Sequence, residues 1–524
     1  MAQLRRVALA VRQGPESGGS FDLGGRYDLT KQAGEFSFNA VDFNQNALRP
    51  FLAPALAPNK LVSLSLNGKG SANYDPQGES SVKAGLTLTN LVVEDPQNKF
   101  PKSSLAAGLQ LDGGMKQSLV NLRQLLLTFS PTDRAKNQLQ LSGKVDLAKT
   151  NAAPGQLTLQ AESLDATPYY DLFAGPSKTR TAGPEKKTKT APQPAASPVE
   201  PDPVALPFEQ FTLDAKIDRL YLREIAVSNF LATVKLNHGE VAVKPLQLAF
   251  NGAPVGAGAL VNLAVKGYTY DLWLNADKVP LEPIANTFAP DDRGQYQGLI
   301  LANAQIKGAG VTGTNLRTNL NGQVSYSYTN ANIQLLGKKA KLLIWPIATL
   351  LRVNDITKSP VNWLDARIQL GAGKIRVNRF ALQSEAFEAH AHGDIPIADV
   401  LDQSPLNLPV EFSLRRSLAQ KSGLTPPGAP PATPYVKLPD FVTVKGTLGD
   451  PKTHLNELAL GGLLLKTGVG IAEKVGVNVG DKTGGLLKGV GNLLTGQKPT
   501  TTNDTTTTNP PPKFNPLDLL RKKK

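Results

Sequence analysis

The ten residues Gly34–Phe43, GEFSFNAVDF, and the ten residues Gly155–Leu164, GQLTLQAESL, share one pattern. Each has glycine, then apolar and polar residues in alternation, then alanine, then a large apolar residue. The likeness extends outward. A shift of 118 residues carries Leu4, Val7, Leu9 and Val11 onto Leu122, Leu125, Leu127 and Phe129. It also carries Phe21, Leu23, Gly25 and Asp28 onto Leu139, Leu141, Gly143 and Asp146 without a gap. A three-residue insertion then aligns the two ten-residue stretches. A looser third copy, at a shift of 115, matches Leu272, Leu274, Ala276 and Val279 to Leu157, Leu159, Ala161 and Leu164, and Gly258 to Gly143. A fourth trace runs from Ala391 to Leu414 and includes Val410 and Phe412. A repeated unit with a period of two must be a set of strands with one apolar face. Such a unit buries that face by stacking on its neighbours, so repetition favours an extended architecture.

The fold expected is therefore mainly β: an elongated, curved antiparallel sheet of repeated strand units, an open groove or taco-like, with a few short covering helices. Further alternating segments support it, among them Leu61–Gly70, Ser81–Val93, Ser104–Gly114, Gly239–Gly252, Gly322–Leu336 and Phe441–Pro451. Gly, Asn and Asp punctuate them as hairpin residues do. Short helices are expected after the repeated strands, at 47–56, 169–173 and 283–288. Lys338–Val353 has a basic start and an apolar stripe around Trp345 and Pro346. It reads as an amphipathic helix that covers a sheet edge or meets a membrane.

Composition sorts the rest. The chain has 524 residues, Gly 47 and Pro 40, which favours turns over long helices. Residues 175–207 are a Pro/Ala/Lys-rich linker, expected to be disordered or extended, and Thr425–Pro434 is a shorter loop of that kind. The linker separates β-groove repeats in 1–174 from β-groove repeats in 208–460. Residues 461–496 are Gly-rich and weakly amphipathic; each glycine costs about 1 kcal/mol in a helix interior, so any helix there is marginal. Residues 497–524 are a basic low-complexity tail. Many of the positive charges behind the formal +14 sit in low-complexity segments such as Lys178–Lys189 and the tail Leu520–Lys524, and nucleic acid is not expected as a partner. There are no cysteines, which excludes disulfides, zinc–thiolate sites and cysteine nucleophiles. No apolar run is long enough to span a bilayer and the first residues do not read as a signal peptide.

Catalytic chemistry is not signalled. His390 and His392 share a strand face at a spacing compatible with metal ligation, but no third ligand accompanies them. Gly468, Gly470 and Gly476 miss the dinucleotide spacing. Asp28 and Asp146 recur, yet each sits where a turn needs its backbone donors satisfied. The repeated positions are apolar or glycine. No enzyme, no cofactor and no metal are expected. The candidate functional surface is the apolar face itself, with Phe36, Phe38, Leu157, Leu159, Leu272, Leu274, Val410 and Phe412 as candidate groove-lining residues. Periodicity fits either a packed core or an open trough able to hold acyl chains.

Three segments resemble the AsmA family in order. Phe211–Leu263 is similar to its strand, "I-x-x-L-x-L" and "L-x-L-x-x-x-G" pattern. Leu316–Ile333 is similar to its paired strands, with Asn330 or Asn332 where glycine is common. Val442–Lys452 is similar to its closing "V-x-G-T-L-x-x-P". The resemblance implies a non-enzymatic protein of the Gram-negative envelope, similar to repeating β-groove, bridge-like lipid transfer proteins. It implies a body in the periplasm, held at the inner membrane by an N-terminal helix. It further implies phospholipid acyl chains, inner and outer membrane surfaces and envelope proteins as partners, in phospholipid movement and outer-membrane assembly. The expected anchor is not in this chain, whose first strand matches the middle of a repeat, as in part of a longer protein. The alternative is a periplasmic structural or assembly factor that acts through protein contacts and carries no lipid.

Overall fold

The computed structural model describes residues 2–56, 59–94, 104–148, 153–173, 199–206, 208–333, 338–426, 428–456 and 458–459. The chain divides into two compact units, Met1–Thr467 and Gly468–Lys524, and the second lies outside the described residues. So do the expected marginal helix in 461–496, the tail 497–524 and most of the linker.

The first half contributes β1 (Ala2–Gln13), β2 (Glu16–Asp28), β3 (Ala33–Asn44), α1 (Gln45–Leu56), β4 (Lys60–Tyr74), β5 (Ser80–Glu94), β6 (Leu105–Lys116), β7 (Leu119–Phe129), β8 (Gln138–Asp146), β9 (Gly155–Asp165) and α2 (Thr167–Phe173). Next come β10 (Gln210–Leu222), β11 (Ile225–Asn237), β12 (Glu240–Phe250), β13 (Ala253–Asn262), β14 (Thr269–Pro280), α3 (Leu281–Phe288), β15 (Tyr296–Ala309), α4 (Gly313–Asn319) and β16 (Asn321–Ile333). The chain continues through α5 (Lys338–Leu351), α6 (Asp355–Lys358), β17 (Val361–Gly371), β18 (Lys374–Ser384), β19 (Phe387–Pro396), β20 (Pro405–Arg415), α7 (Arg416–Lys421), β21 (Tyr435–Lys437), β22 (Val442–Thr447) and β23 (Pro451–Leu455).

All 23 strands belong to one open sheet. Successive strands pair antiparallel from β1 to β9 and from β10 to β20; β20 then pairs with β21 and β22, and β22 with β23. The one parallel joint is β9 with β10, Leu157 opposite Leu213. Its cause is connectivity. β9 ends in α2 at one rim and β10 starts at the other, so the connection crosses back, as a parallel pair requires.

The four sequence copies are β3, β9, β14 and β20, and each runs into a helix at the same rim: α1, α2, α3 and α7. The first three helices start two residues before the positions expected. That helix rim also carries α5 and α6. The hairpin rim carries tight turns, such as His238–Gly239 and Ala372–Gly373, in which both residues have positive φ. Two consecutive positive-φ residues match the twist of the flanking strands. Near the helix rim the strands are bulged, with Asp42, Asn90, Asn229, Lys278 and Asn330 in the left-handed region beside register shifts. Asn and Asp tolerate that region, and a bulge bends its strand. Of the two asparagines where glycine is common, Asn330 is the one with positive φ.

Two expectations need correction. The third copy was aligned with Gly258 in the place of Gly143. Gly143 does lie opposite Leu157, but Gly258 lies opposite Trp273, and Ala259 takes the place opposite Leu272. The loops differ in length between the two hairpins, and one residue of slip moves a side chain to the other face. Leu316–Asn319, read as strand, is part of α4, because Leu316 and Leu320 four residues apart need one helical face to reach the same core.

Closed cores form where helices lie over the apolar face. Leu48, Leu52 and Leu56 of α1 meet Leu61, Leu64, Val93 and Leu105 at the helix rim. Leu316 and Leu320 cover Leu370, Ile375, Val377 and Ile395 at the hairpin rim of β17–β19. Ile347, Ala348 and Leu351 of α5 pack with Phe387, Phe412, Leu414 and Phe441. This end of α5 thus covers the sheet, while Trp345 remains 56% exposed. The Pro-rich loop before β21 is latched rather than loose: the Arg416 guanidinium donates to the carbonyls of Thr433 (2.8 Å) and Pro430, and Leu424 is buried.

Candidate functional site

Paired residues on neighbouring strands put their side chains on the same face, so the register can be followed across the sheet. From Val7 the partners are Leu23, Phe38, Gly70, Ala84, Leu111, Leu125, Leu141, Leu159, Ala215, Ala232, Leu246, Ala257, Leu274, Ala304, Val324, Ile368, Val377 and Gly393. One residue comes from every strand from β1 to β19, and each is apolar or glycine. The next ladder starts at Leu4 and reads Gly25, Phe36, Ala72, Val82, Gly113, Leu122, Gly143, Leu157, Leu213, Val234, Val243, Ala259, Leu272, Ile306, Gly322, Leu370, Ile375 and Ile395. It too has no polar member.

The other face differs. The ladder through Asp22 continues Asn39, Lys69, Gly85, Gln110, Leu126, Gln140, Gln160 and Lys216. Charges there pair across strands: Arg6 with Asp22 (2.6 Å), Arg123 with Asp112 and Glu79 (both 2.7 Å), and Lys307 with Asp271 (2.8 Å). The Arg123 guanidinium, followed by burial, is the main influence on Asp112, and the net effect holds that carboxylate below its ordinary range. A shallow depression of this face is lined by Arg6, Asp22, Lys69, Lys83 and Asp112.

The apolar face is covered unevenly. Between β1 and β16 the ladder residues are half-buried or exposed with few exceptions; Leu272 is 37% and Leu274 38% exposed. From β17 to β19 Leu370, Ile375, Val377 and Ile395 are buried under α4. At about 4.8 Å per strand the open stretch runs about 70 Å along the ladders. Glycines in the ladders let rings lie flat: a Cβ on Gly70 would meet the Phe38 ring, and one on Gly25 would meet Phe36. Phe38 also stacks with Phe21 at 6.1 Å.

Six of the eight candidate residues fall on the two ladders: Phe38, Leu159 and Leu274 on the first, Phe36, Leu157 and Leu272 on the second. Val410 and Phe412 share the face, opposite Ala391 and Ala389, but nearer the helix rim and inside the closed core. Phe412 is 1% exposed, between Phe387 (5.1 Å) and Phe441 (6.1 Å), so it is core and does not line an open surface. Leu111 and Leu246, between the repeats, were not candidates from the sequence, and neither was Leu125, although it aligns with Val7. Hairpin pairing of each alternating segment would have located them.

Other groups that could carry chemistry are structural. The Asp28 carboxylate accepts the N–H groups of Lys31 and Thr30, which hold it below the usual carboxylate range. Asp146 is held low by Ser118, then by the N–H groups of Ala153 and Ala148. His390 lies on the polar face beside Glu388 (4.0 Å). Among the described residues no cluster of His, Asp or Glu could hold a metal ion. At the β9–β10 joint, which the sequence did not signal, Arg134 donates to Asp165 (2.7 and 3.1 Å) and to the Arg223 carbonyl, while Arg223 donates to Asp171. Burial opposes ionisation of Asp165, but the hydrogen bonds from Arg134 and Thr167 outweigh it and keep the carboxyl low.

No helix of the described residues is long and apolar enough to cross a membrane. The family model for AsmA matches residues 60–380, which spans the strands from β4 into β18 and most of both ladders. No curated protein and no solved structure matches the chain.

Proposed function

The chain belongs to the AsmA family, and from that membership and its open apolar face we propose that it binds and conducts phospholipid acyl chains in the Gram-negative envelope. The proposed setting is the periplasm, between inner and outer membranes, in support of outer-membrane biogenesis. The observation that carries the reading is the pair of unbroken apolar ladders, open from β1 to β16 and continuous across the parallel joint. A catalytic protein concentrates polar groups at one place; here the defining property is repeated along the sheet.

The energetics suit a conduit. Burial of a CH₂ contributes about 0.8 kcal/mol, so a sixteen-carbon chain with half its surface on a ladder gains about 6 kcal/mol before ordering costs. Because each ladder position resembles the next, that gain changes little as the chain slides, and no single site traps it. The action proposed involves no covalent chemistry. The alternative, a scaffold without cargo, calls for a second layer across the face. Among the described residues strands contact their ladder neighbours, and the helices lie at the rims.

Extraction of a fluorescent phospholipid from quenched vesicles tests the reading. The protein is expected to raise the signal in proportion to its concentration, and the Leu159→Asp/Leu274→Asp variant is expected to lose most of that activity. A folded protein that extracts no lipid, or a double variant as active as the parent, would refute it.

A further inference from the structure

The two rims of the apolar face are unlike. At the helix rim α1 and α2 roof the ends of β4–β7: Leu61 and Leu64 are 2% exposed, and the Tyr169 hydroxyl donates to the Ala106 carbonyl and accepts from the Ser130 N–H. α3 follows β14 at the same rim, where Val279 is buried. At the hairpin rim the described residues between β2 and β14 contain no helix. Instead, exposed apolar side chains stand at the β2–β3, β4–β5, β6–β7, β8–β9 and β13–β14 hairpins: Leu29, Tyr74, Met115, Leu119, Leu147 and Val265. Tyr74 lies opposite Gly34 and Met115 opposite Val120, which puts both on the ladder face. The Leu147 N–H donates to the Ser118 carbonyl, so the β6–β7 and β8–β9 hairpins form one continuous edge. Phe51 and Phe288 are exposed at the helix rim, but they belong to the helices that cover the strand ends.

We propose that phospholipid loads sideways over the hairpin rim between β2 and β14, with acyl chains on the ladders and the headgroup at that rim; this rests on the lipid reading above. A charged headgroup must stay hydrated, and at the helix rim its place is filled by closed apolar core. At the hairpin rim it has water, while the exposed tips extend the apolar surface outward to receive the chains. The lane ends at α4, the one α-helix at this rim among the described residues. It is fixed there by Glu200, whose carboxylate accepts the N–H of Val311 (3.0 Å), and by Arg317 with Asp399 (3.0 Å). Beyond it Leu370, Ile375, Val377 and Ile395 are buried.

The chain has no cysteine, so single-cysteine variants can be labelled cleanly. Fluorophores are placed at Met115→Cys and Leu147→Cys on the hairpin rim, at Phe51→Cys and Phe288→Cys on the helix rim, and at Leu159→Cys on a ladder. Phosphatidylcholine spin-labelled on the headgroup is expected to quench the hairpin-rim labels at least threefold more than the helix-rim labels. Phosphatidylcholine labelled at the chain end is expected to quench Leu159→Cys. Headgroup quenching that is equal at both rims, or stronger at the helix rim, while Leu159→Cys is still quenched, overturns the loading side alone. No quenching at Leu159→Cys overturns the lipid reading and this inference with it.

Discussion

Aspartate at a ladder position separates an open face from a packed core by the size of its effect. Full burial of a leucine is worth about 1.5–3 kcal/mol. Leu274 is 38% exposed, so its loss costs about 1–2 kcal/mol, and the new carboxylate stays hydrated. Leu159 is half-buried and should cost a similar amount. Leu414 is 0% exposed in the core with Phe387 and Phe412. There an aspartate forfeits the whole burial and adds the cost of a buried, unpaired charge, in all about 5 kcal/mol or more. In repeated architectures stability is local, so hydrogen exchange strand by strand is the suitable assay. With 1.4 kcal/mol per tenfold, exchange in β14 of Leu274→Asp and in β9 of Leu159→Asp should rise about 5- to 30-fold. Exchange in β20 of Leu414→Asp should rise by more than a thousandfold. If Leu274→Asp unprotects β14 as severely as Leu414→Asp unprotects β20, the face is covered and the argument from exposure is wrong.

Other consequences can be checked. Gly143 has φ +142°, and a Cβ there would meet the Gln156 carbonyl and come within 2.8 Å of the Leu157 Cα; Gly143→Ala should destabilise β8–β9 by about 2–3 kcal/mol, whereas Gly85→Ala, with open space around it, should be neutral in thermal unfolding. Arg134→Ala leaves the buried Asp165 without its cation; a loss of about 3 kcal/mol and faster exchange confined to the β9–β10 joint are expected. Asp28 and Asp146 have depressed pKa values in the folded state. Their stabilisation is therefore present above the unfolded value near 4 and lost as pH falls through the lower folded one. Amides of those two hairpins should exchange faster relative to the core at pH 3 than at pH 6, and Asp28→Asn should remove that difference at its own hairpin.

The four copies and the helices behind the first three were legible because period-two alternation and turn residues are local signals, whereas α7 behind the fourth copy was not expected. Phe36, Phe38, Leu157, Leu159, Leu272 and Leu274 could be placed on one surface from sequence, since duplicated strands keep their register. Phe412 shows where that logic stops. Its strand has the same alternation as β3, yet α5 and α7 close over it, and coverage is a long-range property that spacing does not encode. The same holds for α4: Leu316 and Leu320 are spaced as readily for a helix turn as for a strand border, and only the core they fill decides between the two. The parallel joint depends on where the linker returns, and the Arg134–Asp165 and Arg223–Asp171 pairs that secure it are far apart in sequence.

The central claim is that the apolar ladders carry lipid. Native mass spectrometry of the chain purified without detergent from Gram-negative cells measures this most directly. The account predicts mass adducts that dissociate as phospholipids, present on the parent protein and largely lost from Leu159→Asp/Leu274→Asp. A parent protein that never carries lipid, or a folded double variant with the same adducts, would contradict it.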